Sequence, residues 1–266
     1  MPGRHVVAIA ELARPLEIES EPLGALVGLT AYDVRLRLGG ILPAVILHTG
    51  TAEAALEAVE AIRRRGHGAL AMDAAEVTPS SAMVRLRRFG IEGARLRADE
   101  RSEATPLADV TALVRASTAT DVVRSTRERE TVYTGGRPAP ATREVDRLSH
   151  ESVVDHVVYV FRREGPPWLL VEREAKYLGL GAAMRSTRFQ NFLATIELLR
   201  RAAPGAVYDE RFAVDPHPSG RLVLTHGGGT PDPRADDRLD VLVHVLARWL
   251  TRPIGGPYRA TSERPR

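Results

Sequence analysis

The sequence predicts an α+β protein in three stretches. Residues 1–77 read as a small two-layer α/β domain, residues 82–204 as a β-rich domain with a capping helix, and residues 205–266 as a C-terminal extension with one helix. Three observations lead there. Between residues 21 and 73, apolar positions at helical spacing alternate with short apolar runs, in the order helix, helix, strand, helix, strand. After residue 82 the spacing changes to period two, which marks strands. Helical spacing then returns over residues 186–203 and 235–250.

Each element has a local reason. Residues 6–10 form a short apolar strand. Ser20 is placed to cap a helix with Pro22 near its start, and Leu23, Leu26 and Val27 give that helix an apolar side. Thr30 caps the next helix, Val34 and Leu38 share one of its faces, and Gly39-Gly40 stops it. Residues 44–47 are continuously apolar, as a buried strand requires. Thr51 caps a third helix whose stripe is Ala55, Leu56, Val59 and Ile62. Arg63–Arg65 load its last turn, where the helix dipole favours cations, and Gly66 ends it before a strand at residues 69–72.

Gly28-Leu29, Val34, Leu38, Pro43, Ala55, Ile62 and Gly66 sit where this order of elements resembles the C-terminal domain of the bacterial ribosomal stalk protein. The resemblance covers roughly residues 20–73 and implies a protein-interaction module. The glycine- and lysine-rich segment that the stalk domain presents to translational GTPases is replaced here by TAYDVRLR, with Arg35 and Arg37 in place of its charge.

Residues 76–81, EVTPSS, read as a linker. Beyond it Met83, Arg85, Arg87 and Phe89 alternate with Val84, Leu86 and Arg88, and Ala94, Leu96 and Ala98 alternate with Arg95, Arg97 and Asp99. Residues 106–115 and 120–133 extend the β region, residues 134–147 form a Gly/Pro/Arg-rich loop, and residues 153–163 and 168–172 form a hairpin. The helix after it is capped by Ser186 or Thr187, and Asn191 is expected to satisfy a buried backbone group where that helix meets the sheet. Short strands or extended segments at 208–214 and 221–225 precede a helix whose buried side holds Leu239, Leu242, Val243, Leu246, Trp249 and Leu250. Several strands closed by one helix, with the phrase PLADVTALVR, give residues 82–204 a layout that resembles a bacterial pleckstrin-homology-like domain, again a binding fold.

Composition narrows the function by exclusion. A hydrophobic share of 44% and a charged share of 27% belong to a folded globular chain. The absence of cysteine removes disulfides, thiolate zinc sites and cysteine nucleophiles together. No apolar run approaches the ~20 residues of a membrane span, and Glu11 interrupts the N-terminus too early for a secretory segment, so a bacterial-type cytoplasmic protein is expected. Lys176 is the only lysine among 37 basic residues, and the net charge is only +3. An arginine-dominated composition of this kind reflects a GC-rich genome more simply than selection for phosphate.

No catalytic or nucleotide motif is complete. His226-Gly227-Gly228-Gly229 spells an oxyanion loop, but no serine has the nucleophile-elbow context it needs. His150-Glu151 begins an H-E-x-x-H motif in which Val154 takes the place of the second ligand. Gly179 and Gly181 lack the third glycine of a dinucleotide loop. No cofactor or metal is therefore expected. The leading expectation is a non-enzymatic binding or adaptor protein with an unknown protein partner. The alternatives are an enzyme using dispersed His150, Asp155, His156 or His226, and a binder of anionic lipid or nucleic-acid surfaces. Arg35, Arg37, Arg85, Arg87, Arg95 and Arg97 are the candidate anion or partner contacts, the last four expected along one face of a strand pair.

Overall fold

The computed structural model describes residues 5–98, 104–132, 141–218, 223–224 and 236–252. Over these the chain is of the α+β class. Its first half runs β1 (His5–Glu11), α1 (Leu16–Val27), α2 (Ala31–Leu38), β2 (Ala44–Thr49), α3 (Ala52–Arg64) and β3 (Gly68–Asp73). β1 lies between β2 and β3, antiparallel to both. Strand alternation sends Val7, Ile9, Ile46, Ala69 and Ala71 to the helices, where Leu23, Val34, Leu38, Val59 and Ile62 meet them. Val6, Ala8, Leu70 and Met72 line the opposite face, and they too are buried. A sheet covered on both sides explains why these strands are apolar at consecutive positions.

Two caps hold the helices as their residues predict. Thr30 and Asp33 form a reciprocal capping box on α2, and Thr51 accepts the Ala54 N–H at the start of α3. The first helix departs from expectation: it begins at Leu16 and carries Ser20 and Pro22 inside it. Leu12 and Leu16 pack on the same core, and Glu19 is drawn inside by Arg65 and His67. Those contacts outweigh the backbone hydrogen bond that Pro22 removes. Gly28, at φ 71, ends the helix in the left-handed conformation that glycine favours.

The second half contains β4 (Val84–Arg85), β5 (Phe89–Glu92), β6 (Arg95–Ala98), β7 (Ala104–Pro106), β8 (Val110–Val132), β9 (Ala141–Arg162), β10 (Trp168–Val171), α4 (Arg188–Ala202), β11 (Val207–Pro218), β12 (Val223–Leu224) and α5 (Asp236–Leu250). The large sheet has the order β11-β8-β9-β10-β4, with β12 beside β8; β5, β6 and β7 form a small sheet of their own. β8 and β9 are one long antiparallel hairpin, while β11 joins β8, and β4 joins β10, in parallel. α4 covers one face through Phe192, Ile196 and Leu199, packed with Leu113, Val158, Val160, Trp168 and Leu170. α5 covers the other through Leu239, Leu242, Val243 and Leu246, packed with Val114, Val157, Tyr159 and Phe212.

Four expectations change here. Residues 141–147 of the expected loop are strand, paired with residues 126–132. The single strand expected over 83–89 is two strands with a bend between them. Leu86 and Phe89 are both buried, a spacing of three that one straight strand cannot satisfy, and Leu86 N–H to the Leu169 carbonyl and Lys176 N–H to the Arg87 carbonyl hold the bend. Residues from 207 onward do not stand apart from the preceding sheet, because β11 extends it. The expected linker at 76–81 is pinned to α5: Ser80 N–H donates to Asp240 at 2.5 Å, Thr78 N–H to His244 at 3.2 Å, and Arg248 pairs with Glu76.

α5 is consequently shared by both halves. Val245, with Val241 and Trp249 beside it, meets the Val6, Ala8, Leu70 and Met72 face of the first sheet. The sides of the helix carrying Leu242 and Leu246 fill the second. A helix apolar on both sides belongs between two layers.

Candidate functional site

The six candidate arginines do not form one surface. Arg85 lies on β4 in the large sheet, and Arg95 and Arg97 lie on β6 in the small one, so the expected common face does not exist. Arg85 and Arg87 share the Glu174 carboxylate at 3.8 and 3.1 Å, and Arg97 pairs with Glu92 at 3.0 Å. Arg95 donates to the Ala104 carbonyl at 2.9 Å. In the first half, Arg35 donates to the Ser20 hydroxyl at 3.4 Å and Arg37 to the Ile46 carbonyl at 2.8 Å, both from exposed side chains. All six thus have partners within the chain, which leaves less of their charge for an outside anion.

The dispersed acid–base candidates fare similarly. His156 Nδ1 lies 2.8 Å from the Ser117 hydroxyl, which donates to the Ala213 carbonyl at 3.1 Å. Ser117 is fully buried, and its hydroxyl lies within hydrogen-bond distance of both the imidazole and the Ala213 carbonyl. Asp155 points elsewhere and pairs with Arg173 at 2.6 Å. The side chain of His150 and the whole of residues 226–229 lie outside the described residues. Among the described residues no cluster of three or more His, Asp or Glu could hold a metal, and no helix is long and apolar enough to cross a membrane.

Two buried polar networks escaped the sequence reading. Glu19, wholly buried, accepts from Arg65 Nε at 2.7 Å and His67 Nε2 at 3.1 Å. His67 Nδ1 accepts the Ala13 N–H, so its ring proton sits on Nε2, facing the carboxylate. The Arg65 hydrogen bond is the main reason the Glu19 carboxyl is held well below its ordinary value, to about 2. At the junction, Asp240 accepts from the Tyr159 hydroxyl at 2.9 Å as well as from Ser80. His244 Nδ1 donates to the Asp240 carbonyl at 2.7 Å while its Nε2 accepts from Thr78, and burial lowers its affinity for a second proton. Both networks are closed on themselves and serve the fold.

Among the described residues, two open surfaces bear on function. The first is the α1–α2 hairpin, where Ile18, Tyr32 and Leu36 are 64%, 68% and 71% exposed and Leu26 is also exposed. Tyr32 and Leu36 are four apart on α2 and therefore share a face.

The second surface is a groove of about 450 Å³ between residues 179–185 and α4. Leu180, Ala183, Ala194 and Leu198 contribute its apolar lining, and Arg185, Glu197 and Arg201 its charge. The segment that walls it is tightly held. Tyr177, buried, takes a left-handed φ of 53, rare for a non-glycine residue, and its hydroxyl donates to the Glu172 carbonyl at 2.8 Å. Gly179 runs so close to β5 that a Cβ there would lie 2.6 Å from the Phe89 carbonyl oxygen. Asn191 accepts the Arg185 N–H at 2.5 Å and donates back to the Arg185 carbonyl at 3.0 Å, so it does satisfy backbone groups, but those of the exposed preceding segment and not of the helix–sheet seam. The only sequence signal for the groove was the pair of glycines at 179 and 181, which as a nucleotide motif pointed elsewhere.

Compared with known family models, curated proteins and solved structures, the chain matches none.

Proposed function

We propose that this protein is a non-enzymatic cytoplasmic binding or adaptor protein, and that the α1–α2 hairpin is the surface by which it grips a protein partner. One observation carries the reading: Ile18, Leu26, Tyr32 and Leu36 stand exposed on a hairpin whose inward side is fully packed. Aromatic residues and arginine are enriched at interface centres, and Tyr32 lies on the same helix as Arg35 and Arg37. Arg35 and Arg37 flank this surface, each held through one nitrogen and exposed. The stalk-domain resemblance supports the same hairpin, since α2 carries the segment TAYDVRLR at the place the stalk domain offers to its partners. The engagement of His67 with Glu19 and of His244 with Asp240 in the two networks favours a structural over a catalytic use of these groups.

The test is site-specific photo-crosslinking in the native host. A crosslinker at Tyr32 or Leu36 is expected to trap one discrete protein, and the same group at Glu60, exposed on α3, to trap none. Identical crosslinking patterns at the three positions would defeat the proposal.

A further inference from the structure

We propose that the groove between residues 179–185 and α4 binds a small amphipathic carboxylate, its apolar body on Leu180, Ala194 and Leu198 and its carboxylate on Arg185 and Arg201. This goes beyond the protein-contact proposal and concerns a different part of the molecule. Size is the first argument: about 450 Å³ lies in the range of small-molecule sites. Charge is the second. Among the described residues, Arg185 has no side-chain partner and Arg201 is held only by Nε, to the Glu197 main-chain carbonyl at 3.2 Å. The Glu197 carboxylate, the one acidic group of the lining, is engaged by Arg200 at 2.7 Å. The rim therefore carries net positive charge, and guanidinium forks suit a carboxylate.

Preorganisation is the third argument. The wall is fixed at Tyr177, Gly179 and Arg185 by the contacts above, so the groove exists before a ligand arrives, and backbone strain of the Tyr177 kind gathers at ligand-binding sites. Length decides between a free molecule and a peptide. α4 lines the groove with Ala194, Glu197, Leu198 and Arg201, two turns, or about 10 Å. That spans only about three residues of extended chain, too few for a specific peptide, but it suits a short acyl chain.

Decanoate is the probe, titrated into the whole protein with the methyl groups of Leu180, Ala194 and Leu198 followed by NMR. Saturable shifts confined to these methyls are expected, and they should weaken by at least about tenfold in Arg185→Gln/Arg201→Gln. Arg185→Gln keeps the wall intact, because Asn191 holds the backbone of residue 185 and not its side chain. Ala194→Trp supplies a second variant that fills the groove and leaves both arginines; it should abolish the shifts. Decanol, which lacks the charge, should bind the wild type no better than decanoate binds the double arginine variant. No saturable shift, shifts spread over the surface, undiminished binding in either variant, equal binding of decanol, or tighter binding of a short acidic peptide would each overturn the assignment.

Discussion

Glu19 shows how much one buried side chain decides. Its carboxylate ties α1 to Arg65 and to His67, which precedes β3, and places Ser20 inside a helix that local capping rules would start later. Replacing it with alanine leaves His67 Nε2–H without an acceptor and Arg65 without its ion pair. Since Arg65 is partly exposed, we expect a loss of about 2 kcal/mol, below the roughly 3–5 kcal/mol of a broken fully buried pair, measurable by urea unfolding. The pH dependence has a definite sign. The folded carboxyl titrates near 2 and the unfolded one near 4.5, so between them the unfolded chain holds more protons. The contribution is complete above about pH 4.5 and lost as pH falls toward about pH 2. Wild type should thus lose its advantage over Glu19→Gln in that window; a constant gap between the two curves would refute the assignment.

At the scale of elements, the wall of the groove and the arginines of residues 85–97 make separate predictions. Gly179→Ala forces a Cβ against the Phe89 carbonyl, an atom of the backbone that cannot rotate away. Residues 178–183 must then move off β5, and a loss of about 1–3 kcal/mol is expected, typical of overpacking. An unchanged melting temperature would show that the segment is free to shift. Replacing Arg85, Arg87, Arg95 and Arg97 together by glutamine removes contacts to Glu174, Glu92 and the Ala104 carbonyl, all on or near the surface. Each change should alter stability by no more than about 0.5 kcal/mol. Binding to anionic liposomes or nucleic acid should stay at background in both proteins. Salt-sensitive binding that disappears in the variant would restore the anionic-surface alternative, because each lost phosphate contact lowers the salt slope by roughly 0.7 to 0.9.

The whole molecule is organised around α5, which closes the outer face of the first sheet and one face of the second. Gly68 permits the approach on the first side: a Cβ there would collide with the Trp249 ring. Asp240 and His244 then fasten residues 78–80 to the same helix. We therefore expect residues 76–82 to resist limited proteolysis in the native protein and to become the first cleavage site in Asp240→Ala, which strips Ser80 N–H and the Tyr159 hydroxyl of an acceptor. Cleavage there in wild type at the variant's rate would contradict the pinning. His244 adds a pH effect in a higher window. Burial lowers its folded value beneath the ordinary 6.5, so the junction is at full strength above about pH 6.5 and weakens as pH falls through the folded value, when protonation of Nε2 expels the Thr78 N–H. Protease sensitivity of this segment should rise as pH falls below about 6.5.

Elements whose causes are local could be read directly from the residues: α3 between Thr51 and Gly66, α2 from its Thr30 cap, α4 from Thr187, and the continuous apolar runs of β2 and β3. That Asn191 bonds to backbone was legible for the same reason, since its partner is six positions away, although the sequence reading placed that partner at the helix–sheet seam. Tertiary structure alone decided the start of α1, the bend between Leu86 and Phe89, the entry of β11 into the large sheet, the dispersal of the arginines and the pinning of residues 76–81 to α5. In each, a residue's partner lies far off in sequence, as with Glu19 and Arg65 or Ser80 and Asp240. Hydrophobic periodicity records that a side chain is buried, because burial is a property of the residue's own transfer from water. It does not record which neighbour buries it, and that choice placed the hairpin surface, the groove and the shared helix.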